Sequence, residues 1–319
     1  MIIPMKTIIQ ILLAIAVVTV GAIYIYLNRS QLTILKNIEL YDIVLLVFFN
    51  IFFLYATGYV FKLLVGTMNI NLSFIETIGL SVLTNFANYL APARPGAALK
   101  AVYLKKTKKF AYTHFTSVFI ASSFVGIFMM GASGLVLLIL MYKIKPPFFL
   151  FIICIVLIIF SAAPFFCKAP RIKGNGRISN LFRSTIEGLE TIRSKKYELT
   201  IICTIFIAQF FLSAFISIVL FHSIGIQITF LTALFIGVFN SIANLLTVTP
   251  NNLGIQEIVT AYILTMTGFD FTTGIIGSSI GRIINMAVIF SLSPIFSYYL
   301  LKNNKISWKF VMQKSNPSD

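Results

Sequence analysis

The sequence predicts an all-α polytopic membrane protein, with six full spans and two re-entrant helical hairpins arranged as an inverted repeat. Three observations predict it. Hydrophobic residues make up 58% of the 319 residues and charged residues only 11%, where a soluble domain carries about a quarter; mean hydropathy is +0.95. The apolar stretches come in runs near the roughly 20 residues that cross a bilayer. Two of those stretches are interrupted in nearly the same way, in "FANYLAPARPGAALK" and "IANLLTVTPNNLGIQE", each running Ala-Asn, an apolar pair, then Pro-x-x-x-Gly.

The first span, about 7–27, follows Lys6; its apolar run is too long for a signal peptide and no Ala-x-Ala site follows, so it reads as a retained span. The second is 43–65. An apolar stretch at 73–91 then meets Pro92, Pro95 and Gly96, and a run with Arg94, Lys100, Lys105, Lys106, Lys108 and Lys109 has no acid. Spans 115–141 and 147–167 follow. The connection 168–198 carries eight basic residues against Glu187, Glu190 and Glu198. Span 199–222 leads to the broken stretch 229–268, and span 272–301 to a tail, 302–319, with Lys302, Lys305, Lys309 and Lys314.

Charge sets the sides. The three basic segments are cytoplasmic by the positive-inside rule, and the formal net charge of +16 reports loops against anionic lipid rather than nucleic acid. With Lys6 inside, two spans return the chain to the inside, where the basic run after Pro92 also lies. The stretch 73–91 must therefore enter and come back. The same parity makes 229–268 re-entrant from outside. The whole chain, 1–319, is one transmembrane domain of two halves, about 1–141 and 147–301, with both termini cytoplasmic. Lys143 and Lys145 fall outside against the rule, and eight ordinary spans is the alternative map.

Helix breaks in a bilayer need polar surroundings, and each exposes the N-terminus of a half-helix, one near Gly96 and one near Ile255. Pro92, Gly96, Pro250 and Gly254 are the punctuation. Asn85 and Asn88, and Asn240 and Asn244, share a helix face on the approach to each break, either lining a chamber or bonding neighbouring helices. Charges at membrane depth mark function: Arg94 in the first break, Glu257 beyond the second, and Arg282 within the last span, with Lys100 either at the headgroup or on the basic face. Cys154, Cys167 and Cys203 lack CxxC spacing, and His114 and His222 lie far apart on this map. No metal site, cofactor or disulfide framework is predicted.

At the two breaks the sequence resembles the lysylphosphatidylglycerol synthase transmembrane-region family of flippase-like membrane proteins. That family includes the lipid-flipping half of the bacterial multiple peptide resistance factor. Its first motif, approximately Pro-x-Arg-x-Gly-Glu-x-x-Arg, is matched at Pro92, Arg94 and Gly96, with Ala97 in place of the acid and Lys100 in place of the arginine. Its second, approximately Pro-Gly-Gly-Leu-Gly-x-x-Glu, is matched at Pro250, Leu253, Gly254 and Glu257, with Asn251 and Asn252 in place of glycines. Arg282 fits an arginine typical of the last span.

The resemblance implies a lipid translocase of a bacterial or archaeal cell membrane, moving an anionic or zwitterionic phospholipid or a polyprenyl-phosphate-linked glycolipid. Arg94, Lys100 and Arg282 would hold the phosphate, and Glu257 would pair with Arg282 or take a coupling proton. Membrane lipids are the partners. The soluble synthase half is not seen in this sequence, so no aminoacylation is implied and a separate lipid-modifying enzyme is the expected protein partner. Two other classes compete: a membrane glycosyltransferase with a polyprenyl donor, using Glu39 and Asp42 in "NIELYD", and a small-solute transporter.

Overall fold

The computed structural model describes residues 38–91, 94–142, 147–166, 190, 194–246 and 248–302, and among these all regular structure is helical. The predicted first span at 7–27, Pro92, Lys143 and Lys145, most of the basic connection and the tail beyond Lys302 lie outside the described residues.

Helix α1, Leu40–Gly66, is followed by α2, Phe74–Leu90, and α3, Pro95–Lys108. Then come α4, Tyr112–Tyr142, α5, Phe148–Phe166, and α6, Lys196–Ser223. The second half continues with α7, Phe230–Ala243, a 3-10 turn at Pro250–Asn252, α8, Ile255–Met266, and α9, Phe271–Ser297, which ends in a π-helical turn to Lys302. Four helices are long and apolar enough to cross a membrane: Leu40–Gly66, Tyr112–Met141, Lys196–Ser223 and Phe271–Leu300. They match four predicted spans. The fifth, at 147–167, appears as the shorter apolar helix α5.

The two interrupted stretches form antiparallel helix pairs. In the first, Glu76 near the start of α2 bonds Tyr103 and Lys108 near the end of α3, while Asn88 near the end of α2 bonds Gly96 at the start of α3. In the second, Asn240 of α7 donates to Thr260 of α8, and Gln256 donates to Asn244. None of the four helices exceeds 17 residues, or about 26 Å at 1.5 Å per residue, so each is shorter than a hydrocarbon core of roughly 30 Å.

One expectation needs correcting. The stretch 73–91 does not turn back within itself; α2 is a single helix, and the returning limb is the basic segment Pro95–Lys108. Parity bears on the sides expected of the two ends, not on where the turn falls. Apart from Lys100, the lysines of α3 gather at its far end: Lys105, Lys106 and Lys108 occupy the last turn.

Helix pairings repeat between the halves. Helix α1 packs on α2 as α6 packs on α7, and α9 packs on α2 as α4 packs on α7. Exchanging α1 with α6, α2 with α7 and α4 with α9 returns the same pairs. Helices α1 and α6, which exchange with each other, lie side by side in opposite directions. Phe49 stacks on Phe215, and Gln209 Nε2 donates to Thr57 Oγ1 at 2.8 Å. Each half has its own core: Leu83, Leu99, Tyr103 and Val118 around the first pair, and Phe235, Phe239, Ile263 and Leu264 around the second.

Close approach in a lipid-like setting is made by small residues, since apolar side chains gain little over lipid tails. Gly58 of α1 lies against the backbone carbonyl of Thr77 on α2, so that a Cβ there would collide with it. Gly66, one helix end away, has nothing within 4 Å of an added Cβ. Gly58→Val should therefore separate α1 from α2 and lower the melting temperature of the detergent-solubilised protein by about 3 °C or more, with Gly66→Val within about 1 °C of the parent. Equal melting temperatures would show that this contact does not hold the two helices.

Candidate functional site

The ends of both helix pairs meet. The Pro250–Asn252 turn packs on α2, and two polar cavities lie against the junction, sharing Asn85, Asn244 and Asn251 in their walls. The first, about 280 Å³, holds Arg282 and Glu257. The second, about 310 Å³, holds Arg94 and Lys100. A septum of asparagines thus separates two pairs of candidate residues.

The second break is built backbone first. Pro250 starts the 3-10 turn, and Asn251 and Asn252 follow at φ 44° and 53°, then Gly254 at φ 86°. Left-handed backbone favours glycine, and asparagine is the residue that best tolerates it otherwise. The Asn-Asn pair that stands where the resembled motif has glycines therefore keeps the same turn. Asn252 is buried, and its side-chain amide donates to the Ala243 carbonyl and to Asn244 Oδ1 (3.3 and 2.9 Å), closing the turn onto the end of α7.

Arg282 completes the turn from outside it. From the interior face of α9 it donates Nη1 to the Asn251 carbonyl at 3.1 Å, and Nη2 to the Asn252 carbonyl at 3.4 Å and to Gln256 Oε1 at 3.2 Å. Its Nε and Nη2 also engage both oxygens of Glu257 in a forked ion pair. Glu257 Oε2 accepts the Gly254 N–H at 2.8 Å, capping the first turn of α8. The two side chains are only 9% and 10% exposed. Two buried charges are tolerated because each meets the other and further hydrogen bonds reach both side chains.

The first break works differently. Arg94, at φ 54°, sits at the N-cap of α3 and is exposed at the rim of its cavity; Pro95 occupies the first helical position, where its missing N–H costs nothing. Asn88 Oδ1 accepts the Gly96 N–H at 3.0 Å and so takes the capping role. A Cβ on Gly96 would strike the Thr84 carbonyl, so the α2–α3 approach requires glycine there. Lys100 is 9% exposed, with its Nζ 4.4 Å from the Phe61 ring centroid. Among the described residues it has no carboxylate partner and makes no hydrogen bond.

The remaining predicted residues fall into place around these. Asn85 donates to the Ser81 carbonyl of its own helix at 3.0 Å and faces both cavities. Asn240 donates to Thr260 at 2.8 Å and lines the Arg282 cavity, with its Oδ1 left without a partner among the described residues. Asn244 Oδ1 accepts from Asn252 and Gln256. Glu39 and Asp42, the basis of the glycosyltransferase reading, stand at the start of α1 and line neither cavity. Among the described residues no group of three His, Cys, Asp or Glu could hold a metal, and Cys154 and Cys203 are free.

Sequence reasoning missed Glu76, which reads as an interfacial acid. It forms a capping box with Ser73, accepting from the Ser73 N–H at 2.7 Å, and accepts from Tyr103 Oη at 2.8 Å and Lys108 Nζ at 3.1 Å. The Ser-x-x-Glu spacing was the available signal. Gln256, Asn285 and Tyr89, also in the wall of the Arg282 cavity, carry no motif that could have singled them out.

The chain is a membrane protein by its long apolar helices. No curated protein matches it. The family model described as the lysylphosphatidylglycerol synthase TM region matches residues 10–293, which include both breaks, Lys100 and Arg282. The chain belongs to the lysylphosphatidylglycerol synthase TM region family.

Proposed function

We propose that this protein is a lipid translocase, in which a headgroup passes between two vestibules while its tails remain in the bilayer. The observation that carries the reading is the pair of polar cavities on either side of one asparagine septum, where two helix-pair tips end inside a helical bundle. Inverted repeats with broken helices meeting near the midplane are a recurring plan of secondary transporters. In this reading six spans and two re-entrant hairpins form that plan in a cell membrane, with both termini cytoplasmic by the positive-inside rule. The α2–α3 hairpin enters from the cytoplasm and the α7–α8 hairpin from outside.

Arg282 is then a positioning residue. Its guanidinium neutralises Glu257 and holds the carbonyls of the left-handed turn, so it shapes the tip that the headgroup must pass. Asn85, Asn244 and Asn251, shared by both cavities, form the barrier between them. Fluorescent phospholipid in proteoliposomes, read by how much an external reductant quenches, tests the function directly. The protein should raise the quenched fraction above that of protein-free vesicles, and equal fractions with every lipid tried would overturn the reading.

Re-entrance predicts which surface positions share a side. In a cysteine-free background, Asn71→Cys and Lys109→Cys, flanking the first hairpin, should react with a membrane-impermeant maleimide from one side. Gln227→Cys and Asp270→Cys, flanking the second, should react from the other. Labelling of Asn71→Cys and Lys109→Cys from opposite sides would mean that this segment crosses.

The ion pair predicts a second pattern. Arg282→Met or Glu257→Gln alone leaves a buried charge unpaired and should cost about 3 kcal/mol or more of stability. The double variant removes both charges and should recover much of the thermal stability, yet stay inactive because the carbonyls of Asn251 and Asn252 have lost their donor. Transport by the double variant at the parent's rate would remove Arg282 from the mechanism.

A further inference from the structure

We infer that the lipid carries a phosphate received at Lys100 and an uncharged, hydroxyl-bearing group received by the Arg282 cavity; this substrate class rests on the translocase reading above. The inference comes from a difference between the two cavities that their similar positions conceal. Glu257 is the third residue of α8, where it meets Arg282. Ala97 is the third residue of α3, the corresponding position, and brings no acid.

The Lys100 cavity therefore holds uncompensated positive charge. Arg94 and Lys100 both line it, and among the described residues no acidic residue does. Lys100 is buried, and the Phe61 ring face replaces only part of the hydration its ammonium loses. Asn88 and Thr84 add neutral polar groups to the same wall. A phosphate oxygen supplies what the site lacks: an anion able to accept charge-assisted hydrogen bonds.

The Arg282 cavity is the opposite case. Among the described residues its only charged side chains are Arg282 and Glu257, and they are spent on each other. Both Glu257 oxygens are already engaged by Arg282, and one also accepts the Gly254 N–H. An ammonium entering this cavity would find no free carboxylate. What remains among the described residues is neutral: the unpartnered Asn240 Oδ1, Asn285 with no hydrogen bond, and the acceptor lone pairs of Ser213, Ser217 and Ser278, whose hydroxyls donate to carbonyls of their own helices. Neutral donors and acceptors of this kind match the hydroxyls of a glycerol or a sugar. With the two cavities adjoining at Asn85 and Asn251, a phosphate in one leaves its polyol substituent at the other.

Calorimetry on the purified full chain in detergent, with short-chain lipids as ligands, tests this. Phosphatidylglycerol, which joins a phosphate to a diol, should bind about tenfold or more tightly than phosphatidylethanolamine, an aminoacylated phosphatidylglycerol, or a monoglycosyl diacylglycerol without phosphate. Sodium phosphate should displace phosphatidylglycerol only at millimolar concentration. Displacement at micromolar concentration would make free phosphate the ligand and overturn the lipid assignment. Ala97→Glu, which supplies the missing acid, and Lys100→Met, which removes the cation, should each weaken phosphatidylglycerol binding about tenfold or more, in protein that remains monodisperse. Equal affinity for amine-bearing and hydroxyl-bearing lipids, or parental affinity in both variants, would overturn the proposal. Binding is read without transport, so the two readings separate. A protein that binds this class but moves no lipid removes the translocase, and one that moves every headgroup alike removes the headgroup class.

Discussion

A helix broken inside apolar surroundings leaves backbone N–H and C=O groups that lipid cannot satisfy, and the rest of this structure follows from how the two breaks meet that demand. At the second break the demand is met by charge. Glu257 takes the free N–H at Gly254, Arg282 takes the free carbonyls of Asn251 and Asn252, and the two side chains neutralise one another. At the first break it is met by neutral groups: Asn88 takes the Gly96 N–H, and Pro95 removes a donor that would otherwise need a partner. One fold plan has two electrostatic solutions. The cavity beside the first break is left with charge to spare, and the cavity beside the second has none.

How much of this the sequence discloses depends on the kind of interaction. Hydropathy locates α1, α4, α6 and α9 to within a few residues, because a span is a property of composition over some 20 positions and tertiary context changes it little. Pro-x-x-x-Gly locates both breaks for a similarly local reason: at the second, Pro250 and Gly254 act through their own backbone. Residues acting across the chain are harder to read. Asn88 looks like any polar residue on a chamber wall until α3 folds back and brings Gly96 to it. Glu76 looks solvated until Tyr103 and Lys108 return to the same end of the hairpin. The second limb of the hairpin was hidden because its lysines read as a surface loop, whereas the helix places three of them in its last turn and buries Lys100 against the Phe61 ring.

Arg282 shows the reverse. A lone arginine among small residues in a span is conspicuous, and the sequence suggests either a ligand for phosphate or an ion-pair partner for Glu257. The structure places it in the ion pair, and adds two backbone carbonyls and Gln256 that spacing alone does not reveal. In this arrangement its donors are directed to these groups. The asparagines at 251 and 252 fit the same account. They stand in the left-handed turn whose carbonyls Arg282 holds, so the departure from a glycine pair preserves the feature on which the arginine acts.

The asymmetry also bears on which part of the molecule is free to move. Helix α8 packs closely along α9, and the buried ion pair ties the second hairpin to that span. Separating them would leave two charges without partners in a low-dielectric interior, at a cost of several kcal/mol per ion. Helix α3, the corresponding limb of the first hairpin, touches α4 only slightly, and its buried cation is held by a ring face rather than by an acid. Its strongest ties run instead to α2, through Asn88 at the tip and Glu76 at the far end. A change of access that moves the first hairpin as a unit keeps those ties, and it leaves the Arg282 cluster intact. Any movement of the second hairpin away from α9 must first break that cluster. The pseudo-equivalent halves are therefore mechanically unequal, and in the proposed cycle the rearrangement of lowest cost carries the Lys100 limb past a second tip that stays fixed.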